Sequence, residues 1–437
     1  MSAPADTAKG AGTPTPHTPN QPATSGNASA RKTPAPKNSI LHQPKAVWAV
    51  AFACVIAFMG IGLVDPILPA IADSLDATQT QTSLLFTSYL LITGFAMLFT
   101  SWISTRIGAR TTLLIGLALI VAFALAAGLS GSVEEVIGFR AGWGLGNALF
   151  ISTALATIVG AASGGASSAI ILYEAALGLG IAIGPLLGGL LGSISWRGPF
   201  FGTSVLMAIG FIAIATLMKK APQKPVPTPL SAPFKALTRP ALAILAIAAL
   251  FYNIGFFILL AYTPFPLGLD EIGLGLTFFG WGLAVAITSV WVAPWLTRRI
   301  PRTRVLWTVL ILLGLDLVAA GLLVSSTAGL ITCVVVGGAL LGVMNTVLTE
   351  SVMAATDLPR PVASSAYSAV RFLGGAVAPP AASIIAGAFT AATPFYVAAG
   401  SVVVASLVII LGHRAIAHVD HEEEGELEEA EAITAGE

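Results

Sequence analysis

Among the side chains that carry charge inside long apolar runs of this sequence are Asp65, Arg140, Glu174 and Arg371. An ionised Asp or Arg at the centre of a membrane helix costs about 2.5–3.5 kcal/mol on translocon scales, so a charge kept there is a candidate for function. Carboxyl and guanidinium groups together suit proton handling, because a carboxyl that moves relative to a guanidinium gains or loses proton affinity with the movement. Asp65 lies in Gly62-Leu-Val-Asp65-Pro-Ile-Leu-Pro69 near the end of the first run. Arg140 lies in the first half of the fourth, which travels the opposite way, so the two reach similar depth. Arg140, Gly144 and Asn147 share a helical face as a polar stripe with room beside it. Asp65 and Arg140 form either a proton-sensitive pair, with Asp65 the carrier, or a permanent bridge.

Glu174 and Arg371 form a second set. Ala166-Ser-Ser-Ala169 recurs as Ala363-Ser-Ser-Ala366, and Glu174 and Arg371 each stand five residues beyond it. They are repeat-equivalent, one acidic and one basic, and form either a site for a proton or charged substrate or a static bridge between halves. Glu174 opens EAALGLGIAIGPLLGG, in which Gly180, Gly184 and Gly188 recur every fourth residue and offer a neighbouring helix a smooth stripe. Glu174 lies about 120° from that stripe by helical pitch and is expected to face an aqueous cavity. Pro185 interrupts the same helix and frees a carbonyl. Asn147, Asn253, Asn345 and Tyr367 are candidates for polar cavity lining, and Phe256, Phe257 and Trp281 are among the aromatics that could surround an apolar ligand. Asp316 reads as a carboxyl satisfied by a neighbouring hydroxyl or amide, and Glu350 as a partner for loop arginines.

The elements that hold these residues follow from composition. Of 437 residues, 56% are hydrophobic and 10% charged, against about 25% charged in soluble proteins, which gives a polytopic membrane protein. Twelve apolar segments are predicted, at 46–69, 84–103, 111–130, 135–159, 168–192, 199–218, 240–263, 274–296, 303–324, 328–350, 363–389 and 394–412. Residues 1–44 read as a disordered tail without a signal peptide, 45–218 and 240–414 as two six-helix halves, 219–239 as a linker and 415–437 as an acidic tail. With both termini cytoplasmic, 18 of the 21 basic residues are cytoplasmic, Arg197 is external, and only Arg140 and Arg371 are intramembrane. Trp102-Ile-Ser-Thr-Arg106-Ile recurs as Trp295-Leu-Thr-Arg-Arg299-Ile, each after the second segment of its half. Cys54 and Cys333 sit in separate apolar segments and imply neither disulfide nor metal.

Several motifs carry a family resemblance. Gly180-x-x-x-Gly184-Pro185-x-x-Gly188-Gly189 resembles the antiporter signature, motif C, of the major facilitator superfamily. Ser101-Trp-Ile-Ser-Thr-Arg106-Ile-Gly108-Ala-Arg110 resembles motif A, with Ser101 for its first Gly, Thr105 for its Asp and Ala109 for an Arg. Arg140-Ala-Gly-Trp-Gly-Leu-Gly146 is similar to motif B, and Asp65-Pro66 lies in a stretch resembling the first-span motif of twelve-span drug:proton antiporters. The resemblance implies an all-α membrane protein of twelve transmembrane helices in two six-helix pseudo-symmetric bundles, with the fifth helix of each half lining the cavity. It implies a proton-coupled exporter of hydrophobic drugs working by alternating access in the cell membrane. The same motifs would serve an exporter of sugars or metabolites, and a non-transporting sensor could use the same scaffold. The expected partners are a small-molecule substrate, protons and the lipid bilayer, for a monomer that binds no nucleic acid. No P-loop or hydrolase constellation is present, so neither an enzyme nor a bound cofactor or metal is expected.

Overall fold

The computed structural model describes residues 43–161, 165–219 and 228–420. Most of the N-terminal tail, the middle of the linker and the acidic tail from 421 lie outside the described residues. The first half comprises α1 (Lys45–Gly62), α2 (Gln79–Ile107), α3 (Ala109–Leu129), α4 (Val133–Ala161), α5 (Gly165–Gly192) and α6 (Gly198–Leu217). The second comprises α7 (Pro240–Tyr262), α8 (Glu271–Ile287), α9 (Arg302–Leu322), α10 (Thr327–Ala354), α11 (Arg360–Ala388) and α12 (Thr393–Ile416). Among the described residues, eleven helices are long and apolar enough to cross a bilayer, and α1 provides a shorter apolar helix.

Local chemistry sets the helix ends. Thr78 caps α2 by accepting from Gln81 N at 3.2 Å, while the Gln81 side chain accepts from Thr78 N at 2.9 Å, a reciprocal capping box. The Asp270 side chain accepts from Gly273 N at 2.8 Å and starts α8. Gly108, at φ 88°, joins α2 to α3 in a conformation that favours glycine. The first segment is not the continuous helix expected over 46–69. It stops at Gly62, passes through a 3-10 turn at Asp65–Ile67 and resumes as a short helix at Leu68–Ser74. Pro66 and Pro69 give no N–H to a continuing helix, and each restricts the residue before it. In the eighth segment α8 widens into a π turn at Thr288–Val292, then continues as α-helix over Ala293–Thr297.

Packing repeats with a shift of six helices. In the first half α1 packs on α5 and α6, α2 on α4, and α3 on α4 and α6. In the second, α7 packs on α11 and α12, α8 on α10, and α9 on α10 and α12. Two symmetric contacts join the halves, α2 with α11 and α5 with α8. Along the first, Ser83 and Ser383 hydroxyls meet at 2.8 Å and Thr87 Oγ1 donates to Ala376 O at 2.7 Å. Both bonds lie toward the end opposite the loop arginines.

At the arginine-bearing end, polar side chains meet the main chain within the first half and the linker. Arg110 donates to Met218 O and Ala215 O, each at 2.6 Å, meeting the unpaired carbonyls at the C-terminus of α6. Thr228 N in the linker donates to Thr105 Oγ1 at 3.2 Å, and a short helix at Ala232–Ala236 buries Pro233 and Ala236 against α11. The chain also stays folded beyond 414, where an acidic tail was expected to begin. A 3-10 turn over Ala417–Asp420 buries Val419, and the Asp420 carboxylate accepts from Thr303 N at 3.0 Å and Thr303 Oγ1 at 2.6 Å at the start of α9.

Candidate functional site

A cavity of about 760 Å³, counting its open mouth, lies between the two halves. It runs from Gly62 and Leu260 to Met353 and Ser364 near the arginine-bearing ends of α10 and α11. Its walls carry Phe58, Tyr173, Phe256, Phe257 and Trp281, with Glu174 and Arg371 among them. Glu174 Oε2 is buried without a hydrogen-bond partner. Glu174 and Arg371 come from the equivalent helices α5 and α11 and face this one space, yet they form no ion pair among the described residues. A static bridge between the halves is therefore not made in this state. Thr349 of α10 lies on the same wall, and Glu350, the next residue, pairs with Arg302 at 3.9 Å.

Arg140 is fully buried apart from this cavity. Its Nη1 donates to Gly60 O at 3.4 Å and its Nε to Leu85 O at 3.5 Å. Its guanidinium lies over the rings of Tyr89 and Trp143, 4.4 and 4.7 Å from their centroids. A cation thus meets the C-terminal turn of α1, where a helix dipole favours positive charge, and sits in an aromatic sandwich. Gly60 is five residues before Asp65, whose side chain lies outside the described residues. The room expected beside Gly144 is filled by α2, because Thr93 Oγ1 donates to Gly144 O at 3.0 Å and an added Cβ would meet Tyr89 O.

Of the four polar candidates for the lining, Tyr367 faces the cavity and the three asparagines are buried elsewhere. Asn345 Oδ1 accepts from the Tyr252 hydroxyl, and Asn253 Nδ2 donates to Ala249 O one turn back in its own helix at 2.9 Å. Both amide atoms of Asn147 are buried without partners. Asp316, expected to be satisfied, leaves Oδ2 buried without a partner beside Gly337. Among the cavity residues absent from the sequence reading are Phe58, Tyr173, Thr349, Ser368 and Phe372. Tyr173 had a signal, an aromatic ring next to a carboxyl in a run of Ala, Gly and Leu.

Helix α5 carries two faces of small residues. Gly180, Gly184 and Gly188 meet the main chain of α1 at Val55, Met59 and Leu63, and a Cβ at Gly184 would stand 2.6 Å from Met59 O. Gly178, Ala182, Pro185 and Gly189 form the other face against Ala286, Gly282, Gly275 and Glu271 of α8, across the two halves. Pro185 is held inside an unbroken helix.

The sequence profile of the Major Facilitator Superfamily matches residues 50–359. The chain belongs to this superfamily. It has that family's twelve-helix fold in two six-helix halves and is a multi-pass membrane protein. The superfamily chain is 55% identical over 383 residues to the multidrug efflux protein YfmO of Bacillus subtilis strain 168, covering 88% of this chain and 97% of that one. The superfamily fold is also shared with the human organic anion transporter MFSD10, at TM-score 0.68 and 16% identity, covering 84% of this chain and 99% of that structure. A D-xylose-proton symporter aligns at TM-score 0.69 and 12% identity, over 84% and 96% of the two chains. Within the superfamily's motif A loop, Arg106 lies over the Trp102 ring at 4.3 Å, and its repeat Arg299 lies over Trp295 at 4.2 Å. Ser101 and Thr105, the departures from this superfamily motif at its Gly and Asp, line one hydroxyl-walled pocket with Thr100, Ser152 and Thr153.

Proposed function

We propose that this superfamily member exports hydrophobic small molecules in exchange for protons. The observation that carries the reading is the central cavity, where aromatic walls surround one carboxyl and one guanidinium that do not pair. Apolar walls with a few placed polar groups suit amphiphilic ligands of varied shape. A sugar would ask for a denser set of hydrogen-bonding side chains, so a sugar or metabolite exporter fits these walls less well. The 55% identity to a multidrug efflux protein over nearly its whole length supports the same reading.

Orientation follows from the arginines. With the arginine-bearing end in the cytoplasm of a cell-membrane protein, both termini are cytoplasmic and the cavity faces inward. The two halves, 45–218 and 240–414, rock about the α2–α11 and α5–α8 contacts in a monomer. Two carboxyls are suited to carry the proton, Asp65 beside the α1 end that Arg140 holds, and Glu174 opposite Arg371. The experiment is flux in proteoliposomes of the purified chain, with and without a pH gradient, after a drug panel in cells lacking other pumps selects the substrate. Uptake driven by the gradient is expected. Binding without flux would favour a sensor, and flux indifferent to the gradient would remove the proton.

A further inference from the structure

Asp316 stands in α9, away from the cavity. The residue is 8% exposed, and its Oδ2 is buried without a hydrogen bond or ion pair among the described residues. That oxygen sits where three helices meet. A Cβ at Gly337 of α10 would stand 3.0 Å from it and 2.8 Å from a Leu259 methyl of α7. The contact lies one layer behind the cavity wall. Leu260 and Trp281 line the cavity, Leu259 adjoins the first of them, and Gly338 packs on the main chain of the second.

The first half makes the same contact without a charge. Phe123 and Asp316 each lie fourteen residues after the first residue of a 21-residue helix, α3 from Ala109 and α9 from Arg302. The Phe123 ring packs on Gly142 of α4 as the carboxyl packs on Gly337 of α10. An apolar ring fills the contact in one half, and a titratable group takes its place in the other. The helices around Asp316 supply no opposite charge. Cys333 shares the Gly337 face of α10, one turn away. From α7 comes Leu259, and α12 brings Ala399 and Val403 against Gly314 and Tyr396 against Gly321. The charged groups of these helices and of the turn after α12 (Arg302, Arg304, Glu350, His413, Arg414 and Asp420) gather at the arginine-bearing end. Arg304, the nearest of them along α9, is about 18 Å away by helical rise.

A carboxyl in such a place is tolerated while it carries its proton, because an ionised one would need water or a cation that this contact lacks. Loss of the proton therefore favours an arrangement in which α9 and α10 part enough to admit water, and by linkage their parting favours loss of the proton. Movement of the cavity wall reaches this contact, since α10 also carries the cavity residues Thr349 and Met353. We propose that Asp316 is a further proton-binding site of the transporter, apart from the cavity, filled while α9 and α10 are in contact and emptied as they separate. The role rests on the proton-exchange reading above. Asp316 lies six residues, about 9 Å, from the end of α9 opposite the arginines, so its shorter route to water leads to the side away from the cavity mouth.

The test uses the full chain in proteoliposomes, with ethidium as the transported probe. Asp316→Asn keeps the shape and removes the titration, and Asp316→Phe copies the first half should the Asn variant fold poorly. Either variant, eluting as wild type, is expected to lose about fivefold or more of its gradient-driven ethidium flux. Ethidium exchange at equal pH on both sides moves no net proton and should stay within about twofold. Dicyclohexylcarbodiimide, which reacts with protonated carboxyls in apolar surroundings, reads the proton directly. Its modification of the Asp316 peptide in wild-type protein should fall about fivefold or more from about pH 6 to about pH 9. Equal loss of gradient-driven flux and exchange would make Asp316 a packing residue and overturn the proton site. An unchanged gradient response, or labelling indifferent to pH, would overturn it as well. Wild-type protein whose ethidium flux ignores the gradient would instead remove the proton-exchange reading itself, and this role with it.

Discussion

A carboxyl and a guanidinium that face one cavity without meeting are each free to take another partner. In the proposed exchange Glu174 holds a proton or a cationic substrate while Arg371 balances its charge, and no Glu174–Arg371 bridge stands in the way in this structure. Glu174→Gln keeps the shape and removes the titration. It is expected to reduce gradient-driven export by about tenfold or more while leaving substrate binding in detergent within about threefold. If the Gln variant keeps its full response to the gradient, the coupling proton sits elsewhere, and Asp65→Asn becomes the variant that should abolish it. Arg140→Lys retains charge but loses the planar group that lies between Tyr89 and Trp143, so lower thermal stability and weaker transport are expected together, read by melting in detergent and by flux. The charges at Asp65, Arg140, Glu174, Asp316 and Arg371 were legible in the sequence, because a charge in an apolar run stands out. The three asparagines lie outside the cavity walls in this structure: Asn345 accepts from a tyrosine, Asn253 donates within its own helix, and both amide atoms of Asn147 are buried without partners.

Among the elements, α5 bears the most constraint, with one small-residue face against α1 and another against α8. Gly184→Leu would drive a side chain into Met59 of α1, where even a Cβ has 2.6 Å. Transport should fall at least about tenfold while membrane expression persists, measured by flux normalised to purified protein. Normal flux would mean α1 and α5 separate freely at this contact. The glycine spacing told that some helix approaches closely; it could not tell which, because one stripe reads the same for any neighbour. The break of the first segment after Gly62 was written in Pro66 and Pro69, yet apolar residues continue through both prolines and hydropathy alone carries the helix past its end. The docking of Asp420 on Thr303 was not legible, since a carboxylate among tail glutamates looks like any other until the start of α9 presents its free N–H beside it.

For the whole molecule, the shift of six in every main helix contact is the physical form of the sequence repeat. The Trp–Arg repeat survives even as side-chain geometry, with matching ring contacts of 4.3 and 4.2 Å in the two halves. Orientation can be checked directly. Cysteine at the exposed Ser195 should react with an impermeant maleimide in intact cells, whereas one at the exposed Ser231 should react only after the membrane is opened; the reverse pattern would invert the topology. The repeat has one mismatch of phase. Trp102 lies 24 residues after the cap Thr78, but Trp295 lies 25 after the cap Asp270. One inserted residue would turn everything beyond it by about 100° and carry Trp295 and Arg299 off their face. The π turn at Thr288–Val292 takes up a single extra residue, so the helix beyond it keeps its phase. The eighth segment thus carries one absorbed insertion relative to the second, and the insertion should be reversible. Deleting Val290 is expected to return the segment to a plain α-helix with Trp295 still in place, whereas deleting one residue from the middle of α2, which has no such slack, should ruin folding.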